Sequence, residues 1–200
     1  MKSLYNKIAV FCGSSTGNNL VYKNETVRLG KILAEKEIEL IYGGANVGLM
    51  GILADSVLQN GGKVTGVIPA FIQDKEIAHS GLTRLITVDT MHRRKEEMER
   101  LCDGVIALPG GFGTLDEFFE ILTWGQLGLH QKPAGILNVN GYYTHLLHLA
   151  DTMVTEGFLK KVNREMLIVS DSQEELLEKM INYSPPDENK WISSSHNRNF

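Results

Sequence analysis

Two hundred residues, 42% of them hydrophobic, suffice for one domain with a sizeable core. A formal net charge of −4 argues against nucleic-acid binding by bulk electrostatics, since duplex binders carry a basic face, yet it leaves room for a small anion at a local cationic spot. Cys12 and Cys102, both in apolar surroundings, are too few for a disulfide framework or a spaced-pair zinc site.

The opening MKSLYNK leads directly into an apolar run with no small-residue cleavage site, and no stretch approaches the roughly 18 apolar residues of a membrane span. A cytoplasmic protein is expected, with neither membrane nor nucleic acid as partner. Residues 8–12, IAVFC, read as a first strand, followed by Gly13, Ser14, Ser15, Thr16 and Gly17 and by a helix over 20–36. Ligands of open α/β sheets sit at the carboxyl end of such a strand, so Ser14 and Ser15 are candidate phosphate or ribose contacts, with helix N-capping as the competing role.

A second strand spans 38–42 and runs into GGANVGLMG at 43–51. This turn is no P-loop, because Leu49 and Met50 follow Gly48 where a Lys and a Ser or Thr are needed. It is no dinucleotide fingerprint either, since the strand ends in Tyr42 rather than an acidic residue. A helix over 49–60 and a strand over 63–68 come next. The irregular connection 69–82, with Asp74, Lys75, Glu76 and His79, is long enough to read as a functional loop.

A strand over 84–88 precedes a helix opening near Thr90 with MHRRKEEMERLC. Arg93, Arg94 and Lys95 fall in its first turn, where the helix dipole disfavours cations, and Glu96, Glu97 and Glu99 follow in the unhelpful order. Either this is a solvated face, or the cations are kept for an anion, because local rules tend to fail at functional sites. Met91, Met98 and Leu101 give the helix an apolar flank for the sheet.

Residues 105–120, VIALPGGFGTLDEFFE, read as a buried strand, a glycine turn and a helix beginning near Thr114. Lacking Cβ atoms, Gly110, Gly111 and Gly113 can take positive φ and bring backbone N–H groups close to a ligand, and the helix adds its positive end. That is a seat for a phosphate. Glu117, one turn in, would repel a phosphate there. Two roles compete: a capping box with Thr114 as N-cap and Glu117 folded back onto it, or a carboxylate reaching past the phosphate to the sugar or a water.

Downstream, Phe118, Phe119, Ile121, Leu122, Trp124 and Leu127 cover more than one helix face, implying burial on two sides, by a second subunit or by the chain's own helices. A strand over 134–139, a helix over 142–156, a strand over 166–169 and a helix over 173–181 complete the domain. With Pro185, Pro186 and a Ser/Asn-rich end, residues 184–200 read as a mobile tail to a single nucleotide-binding catalytic domain over 1–183. His145 and His148 share a helix face, but the histidines show no ligand spacing, so neither a metal nor another cofactor is expected. The alternation of strand and helix predicts an α/β fold: an open, mostly parallel, Rossmann-like sheet of about seven strands with helices on both faces.

Three segments carry a family resemblance. PGGFGTLDE at 109–117 is similar to the PGGxGTxxE motif of the LOG ("Lonely guy") proteins, and MHRRK at 91–95 resembles that family's MHxRK segment. YGGANVGLMG at 42–51 resembles its YGG-x3-GLMG turn, with Ala45 where many members have a glycine. The likeness runs from about residue 8 to residue 181. It implies a cytokinin riboside 5′-monophosphate phosphoribohydrolase, in which water cleaves the N-glycosidic bond of an N6-substituted AMP to give free base and ribose 5-phosphate, and it implies a homodimer or larger assembly. Such proteins have often been labelled lysine decarboxylases, but the glycine and arginine motifs suit a nucleotide monophosphate, and no lysine context suggests a pyridoxal phosphate Schiff base.

Carried over position by position, the resemblance puts a catalytic pair on Arg94 and Glu117. It puts substrate contacts on Lys95, Gly110, Gly111, Gly113 and Thr114, and a base-side or sugar-side carboxylate on Glu76. Ser14, Ser15, Gly43 and Gly44 complete the candidate substrate-binding set. Chemically, Glu117 can stabilise positive charge developing on the ribose and take a proton from the attacking water. Arg94 can grip the phosphate, orient Glu117 through a bidentate pair, or both, while Asp116 reads as a solvated or capping residue. Three functions stay open: this hydrolase, a general AMP or nucleoside 5′-monophosphate nucleosidase, and a non-catalytic nucleotide-binding or carrier protein of the same fold. The joint presence of Arg94 and Glu117 favours an enzyme, since a pure binder has no use for a carboxylate beside a phosphate.

Overall fold

The computed structural model describes residues 5–73 and 78–186, and each expected strand forms within it. They are β1 (Lys7–Phe11), β2 (Glu39–Tyr42), β3 (Val64–Pro69), β4 (Arg84–Val88), β5 (Gly104–Ala107), β6 (Ala134–Leu137) and β7 (Leu167–Ser170). All pair in parallel within one sheet, in the order β4-β3-β2-β1-β5-β6-β7. Asp74, Lys75 and Glu76 lie outside the described residues, as does the expected tail from residue 187 onward.

Successive side chains of a strand point to opposite faces, and here they feed two cores. Ile8, Val10, Leu40 and Ile106 pack with helices α1 (Leu20–Glu35), α2 (Gly48–Gln59) and α8 (Gln173–Ile181). Ala9, Phe11, Ile41 and Val105 pack on the other face with α4 (Met91–Leu101), α5 (Phe112–Gln126) and α6 (Thr144–Thr155). Coverage on both faces explains why the inner strands are unbroken apolar runs instead of alternating ones. At the edge, β4 pairs only with β3 and leaves Arg84, Leu85 and Thr87 exposed.

Two short helices, α3 (Ala70–Gln73) and α7 (Lys161–Glu165), and a 3₁₀ turn at Val139–Gly141 were not legible in the sequence. Each is at most five residues long, below the length at which periodicity becomes readable. Phe118 and Ile121 of α5 enter the core, while Phe119 and Leu122 face Leu146, Met153, Leu159 and Met166 across a cavity of about 170 Å³. The chain's own helices therefore supply part of the second covering expected for α5. No helix among the described residues is long and apolar enough to cross a membrane.

The chain steps from β1 outward to β4, then returns to lay β5 on the other side of β1. Right-handed crossovers in both directions put α1 and α2 on one face and α4 and α5 on the other. Between the carboxyl ends of β1 and β5 the two paths part, and ligands of open α/β sheets bind at such a crevice.

Candidate active site

β5 delivers the chain to that crevice, where Pro109, Gly110 and Gly111 turn it into α5. The helix begins at Phe112, two residues before Thr114, and its N-cap is Gly111, which offers no side-chain cap. The capping box is thus absent: Thr114 is buried inside the first turn, and Glu117 does not fold back onto it. Nor does Gly110, Gly111 or Gly113 take a positive φ. What this turn demands is room. A Cβ on Gly110 would lie 2.1 Å from Thr114 Oγ1 and 2.9 Å from Gly13 N, whereas one on Gly111 or Gly113 would meet nothing within 4 Å.

The turn is held from three sides. Gly13 N donates to Pro109 O (3.0 Å), Tyr142 Oη donates to Gly110 O (2.7 Å) and the buried Tyr143 Oη donates to Leu108 O (2.7 Å). Above it lies a groove of about 320 Å³ lined by Ser14, Ser15, Tyr22, Gly110, Gly111 and Tyr142 among others, a volume within the range of small-molecule sites. The rings of Tyr22 and Tyr142 meet edge to face at 5.7 Å. Asn19 caps α1 by accepting from Val21 N, so neither serine serves as the cap, and both stand exposed on the groove.

α4 supplies the cations. Thr90 caps it by accepting from Arg93 N at 3.1 Å, and Arg93 itself stays in solvent beside Glu96. Arg94 turns inward, with Nη1 3.0 Å from Glu117 Oε1 and both side chains nearly buried, at 12% and 10% exposure. This Nη1–Oε1 contact is the nearest approach of the pair. Gly43 makes it possible, because a Cβ there would lie 2.1 Å from Arg94 Nη2. Gly43 and Gly44 line no part of the groove; Gly44 has a φ of +80° and packs near Ile68 and Leu85.

Lys95 Nζ lies 3.1 Å from Asp116 Oδ2 and 2.6 Å from Glu120 Oε2. Two of the three clustered cations of α4, Arg94 and Lys95, have their anions on α5, while Arg93 pairs with Glu96 of its own helix. Asp116 is an exposed partner of Lys95, not a cap. Glu120 was missed in the sequence, although its spacing of three residues from Glu117 and four from Asp116 makes it a helix-surface neighbour of each. Tyr142, which shapes the groove, left no signal, since its partner Gly110 is 32 residues away. Glu76 lies outside the described residues.

Burial pushes the Glu117 carboxyl above the ordinary carboxylate range, and Asp116 and Glu120 add to this, while Arg94 and Lys95 offset part of it. The buried Cys12 thiol nearby is pushed up by desolvation and by Glu117, which keeps it neutral. Arg94 Nε and Tyr42 Oη are buried with no hydrogen-bond partner among the described residues. No group of three or more His, Cys, Asp or Glu among the described residues could hold a metal ion. A perturbed carboxylate beside a fixed guanidinium, with bare helix N–H groups a turn away, suits chemistry that develops positive charge next to an anion.

A family model described as "Possible lysine decarboxylase" matches residues 50–180. The cytokinin riboside 5′-monophosphate phosphoribohydrolase LOG1 of Arabidopsis thaliana is 44% identical over 188 residues, covering 94% of this chain and 88% of the relative. The probable cytokinin riboside 5′-monophosphate phosphoribohydrolase LOGL2 of Oryza sativa subsp. japonica is likewise 44% identical, over 94% of this chain and 77% of its own. The chain belongs to the LOG family. Among solved structures, the molybdenum cofactor carrier protein of Chlamydomonas reinhardtii superposes on this LOG protein with a TM-score of 0.66 at 16% identity, over 88% of this chain and 98% of that one. The molybdenum cofactor binding protein of Rippkaea orientalis gives 0.63 at 20% identity, over 88% and 96%. These two share the fold alone.

The decarboxylase description does not suit the lysine at this LOG site. A Schiff-base lysine must be able to lose its proton, and desolvation of Lys95 works toward that, but Glu120 and Asp116 outweigh it and leave the ammonium's pKa raised.

Proposed function

We propose that this chain hydrolyses the N-glycosidic bond of adenosine 5′-monophosphates, N6-substituted ones in particular, releasing free base and ribose 5-phosphate. The reading is carried by Glu117, buried and paired with Arg94 one turn inside a helix whose mouth is bare main chain bordering the groove. The uncapped N–H groups at the start of α5, with open space at Gly111 and Gly113, take the 5′-phosphate. Ser14 and Ser15 face it across the groove.

With the phosphate seated there, Glu117 is left for the ribose. Departure of the base develops oxocarbenium character at C1′, which the carboxylate stabilises, and the same group takes a proton from the attacking water. The water oxygen ends on C1′ and a proton ends on a ring nitrogen of the base. Arg94, always charged, holds the Glu117 carboxylate in place and favours its ionised form, the one that can act as a base. The names of the phosphoribohydrolase relatives support the same reading.

A homodimer goes with it, supported by the family resemblance and by Leu149, Met153 and Phe158, which α6 and the segment after it leave exposed. The deciding experiment incubates the protein with AMP, GMP, CMP and N6-isopentenyl-AMP and measures ribose 5-phosphate and free base. Release from the prenylated nucleotide, lowered by about 10²- to 10⁴-fold in Glu117→Gln, is expected. Equal rates on AMP and its prenylated form would assign a general nucleosidase, release from none of the four a binding protein, and a parental rate in Glu117→Gln would remove the mechanism.

A further inference from the structure

Arg94 and Lys95 are neighbours on α4, and each meets α5 carboxylates, yet they do so differently. Arg94 reaches Glu117, while the Lys95 ammonium sits between Asp116 and Glu120, with its side chain 9% exposed. An ammonium has three donors, and two of them already face carboxylates. A lysine that gripped a substrate phosphate would hold its charge toward that anion, whereas two carboxylates of the protein already enclose this one.

We infer that Lys95 is a positioning residue for the reaction: it fastens the turn of α5 that bears Glu117 to the first turn of α4, so that Arg94 and Glu117 meet, and it does not grip the substrate. The assignment rests on reading Arg94 and Glu117 as the working pair. Consecutive helix residues project about 100° apart, so the two cations hold α5 from two directions and resist its rotation about its own axis. Lys95 also neutralises its partners. Among the described residues, the ionisable groups around Glu117 are Arg94 and Lys95 from α4, Asp116 and Glu120 on its own helix, and Cys12 following β1. Without the ammonium, Asp116 and Glu120 face Glu117 uncompensated.

The test compares kcat, KM and the pH profile of Lys95→Met, Lys95→Arg, Glu120→Gln and the Lys95→Met/Glu120→Gln double variant, using the nucleotide cleaved fastest in the panel above. Lys95→Met should lose about a hundredfold in kcat, with KM changed by less than about threefold, and its acid limb should move to higher pH. Lys95→Arg should recover a large part of the rate. Glu120→Gln, which removes one of the charges opposing ionisation of Glu117, should shift the acid limb the other way and lower kcat by a smaller factor. In the double variant the two losses should not add.

A rise in KM of about tenfold or more with kcat preserved would make Lys95 a substrate contact and overturn the inference, as would additive losses. If Lys95→Met fails to fold, as judged by circular dichroism, Glu120→Gln decides: parental kcat with an unmoved acid limb overturns the inference. Glu117→Gln run alongside separates the two levels. At the parental rate it sinks the catalytic pair itself, whereas inactive Glu117→Gln with parental Lys95 variants sinks the positioning role alone.

Discussion

Two glycine turns stand at the ends of β2 and β5, the strands on either side of β1, and they use their glycines for opposite purposes. After β2, Gly43 leaves space that the protein itself fills, since the Arg94 guanidinium occupies the position where a Cβ would stand. After β5, Gly111 and Gly113 leave space that nothing among the described residues fills. One turn seats the side chain proposed to be catalytic, and the other keeps main chain bare at the proposed phosphate seat. Glycine-rich loops at the carboxyl end of a sheet are therefore not equivalent phosphate seats, and only the neighbours of the missing Cβ show which kind each is.

The sharpest way to break this comparison is Gly43→Ala. Its φ is not positive, so the backbone accepts alanine, but Arg94 must leave its place, because the new methyl would lie 2.1 Å from Nη2. The guanidinium is the far end of a flexible side chain, so the fold should survive with a melting temperature near the parent's. Displacement of about 1 Å is enough to cost roughly a hundredfold in kcat. Parental turnover in Gly43→Ala would mean that Arg94 need not sit where the structure has it.

The pH profile sharpens the same contrast. Glu117 acts as a base only when ionised, and burial holds its carboxyl above the usual 4.5, so kcat/KM should fall through an acid limb above that value. Arg94 is the largest influence pulling the carboxyl back down. Gly43→Ala, which moves Arg94 away, should push the limb higher still, whereas a change in the turn after β5 should leave it in place. A limb at or below 4.5 would contradict the buried, paired carboxylate.

The sheet was legible because its inner strands, covered on both faces, are short apolar runs bounded by glycine, as in IAVFC before Gly13. The start of α5 was not. The Thr114 to Glu117 spacing satisfies a local capping rule, yet Arg94 offers Glu117 a buried partner of opposite charge, and tertiary pairing wins. Arg94 and Glu117 were identified as a pair through family motifs, while residue chemistry alone marked only the misfit of an acid beside a phosphate seat and of cations at a helix start. The ion pairs of Lys95 were invisible for another reason. A contact between α4 and α5 depends on the crossing of two helices, and no periodicity in either one encodes it.

The smallest expected effect belongs to the second turn. Gly111→Ala introduces a methyl that meets nothing within 4 Å, at a residue with φ of −89°. Alanine's smaller loss of freedom on folding is offset by its poor fit at the N-cap position that Gly111 holds, so the melting temperature should stay near the parent's. The same methyl stands beside the N–H groups assigned to the phosphate, so KM should rise several-fold while kcat and the acid limb hold. Gly43→Ala should do the reverse, lowering kcat at nearly constant KM. If both variants changed the same kinetic parameter, the two turns would share one role, and the division between a seat for Arg94 and a seat for the phosphate would be lost.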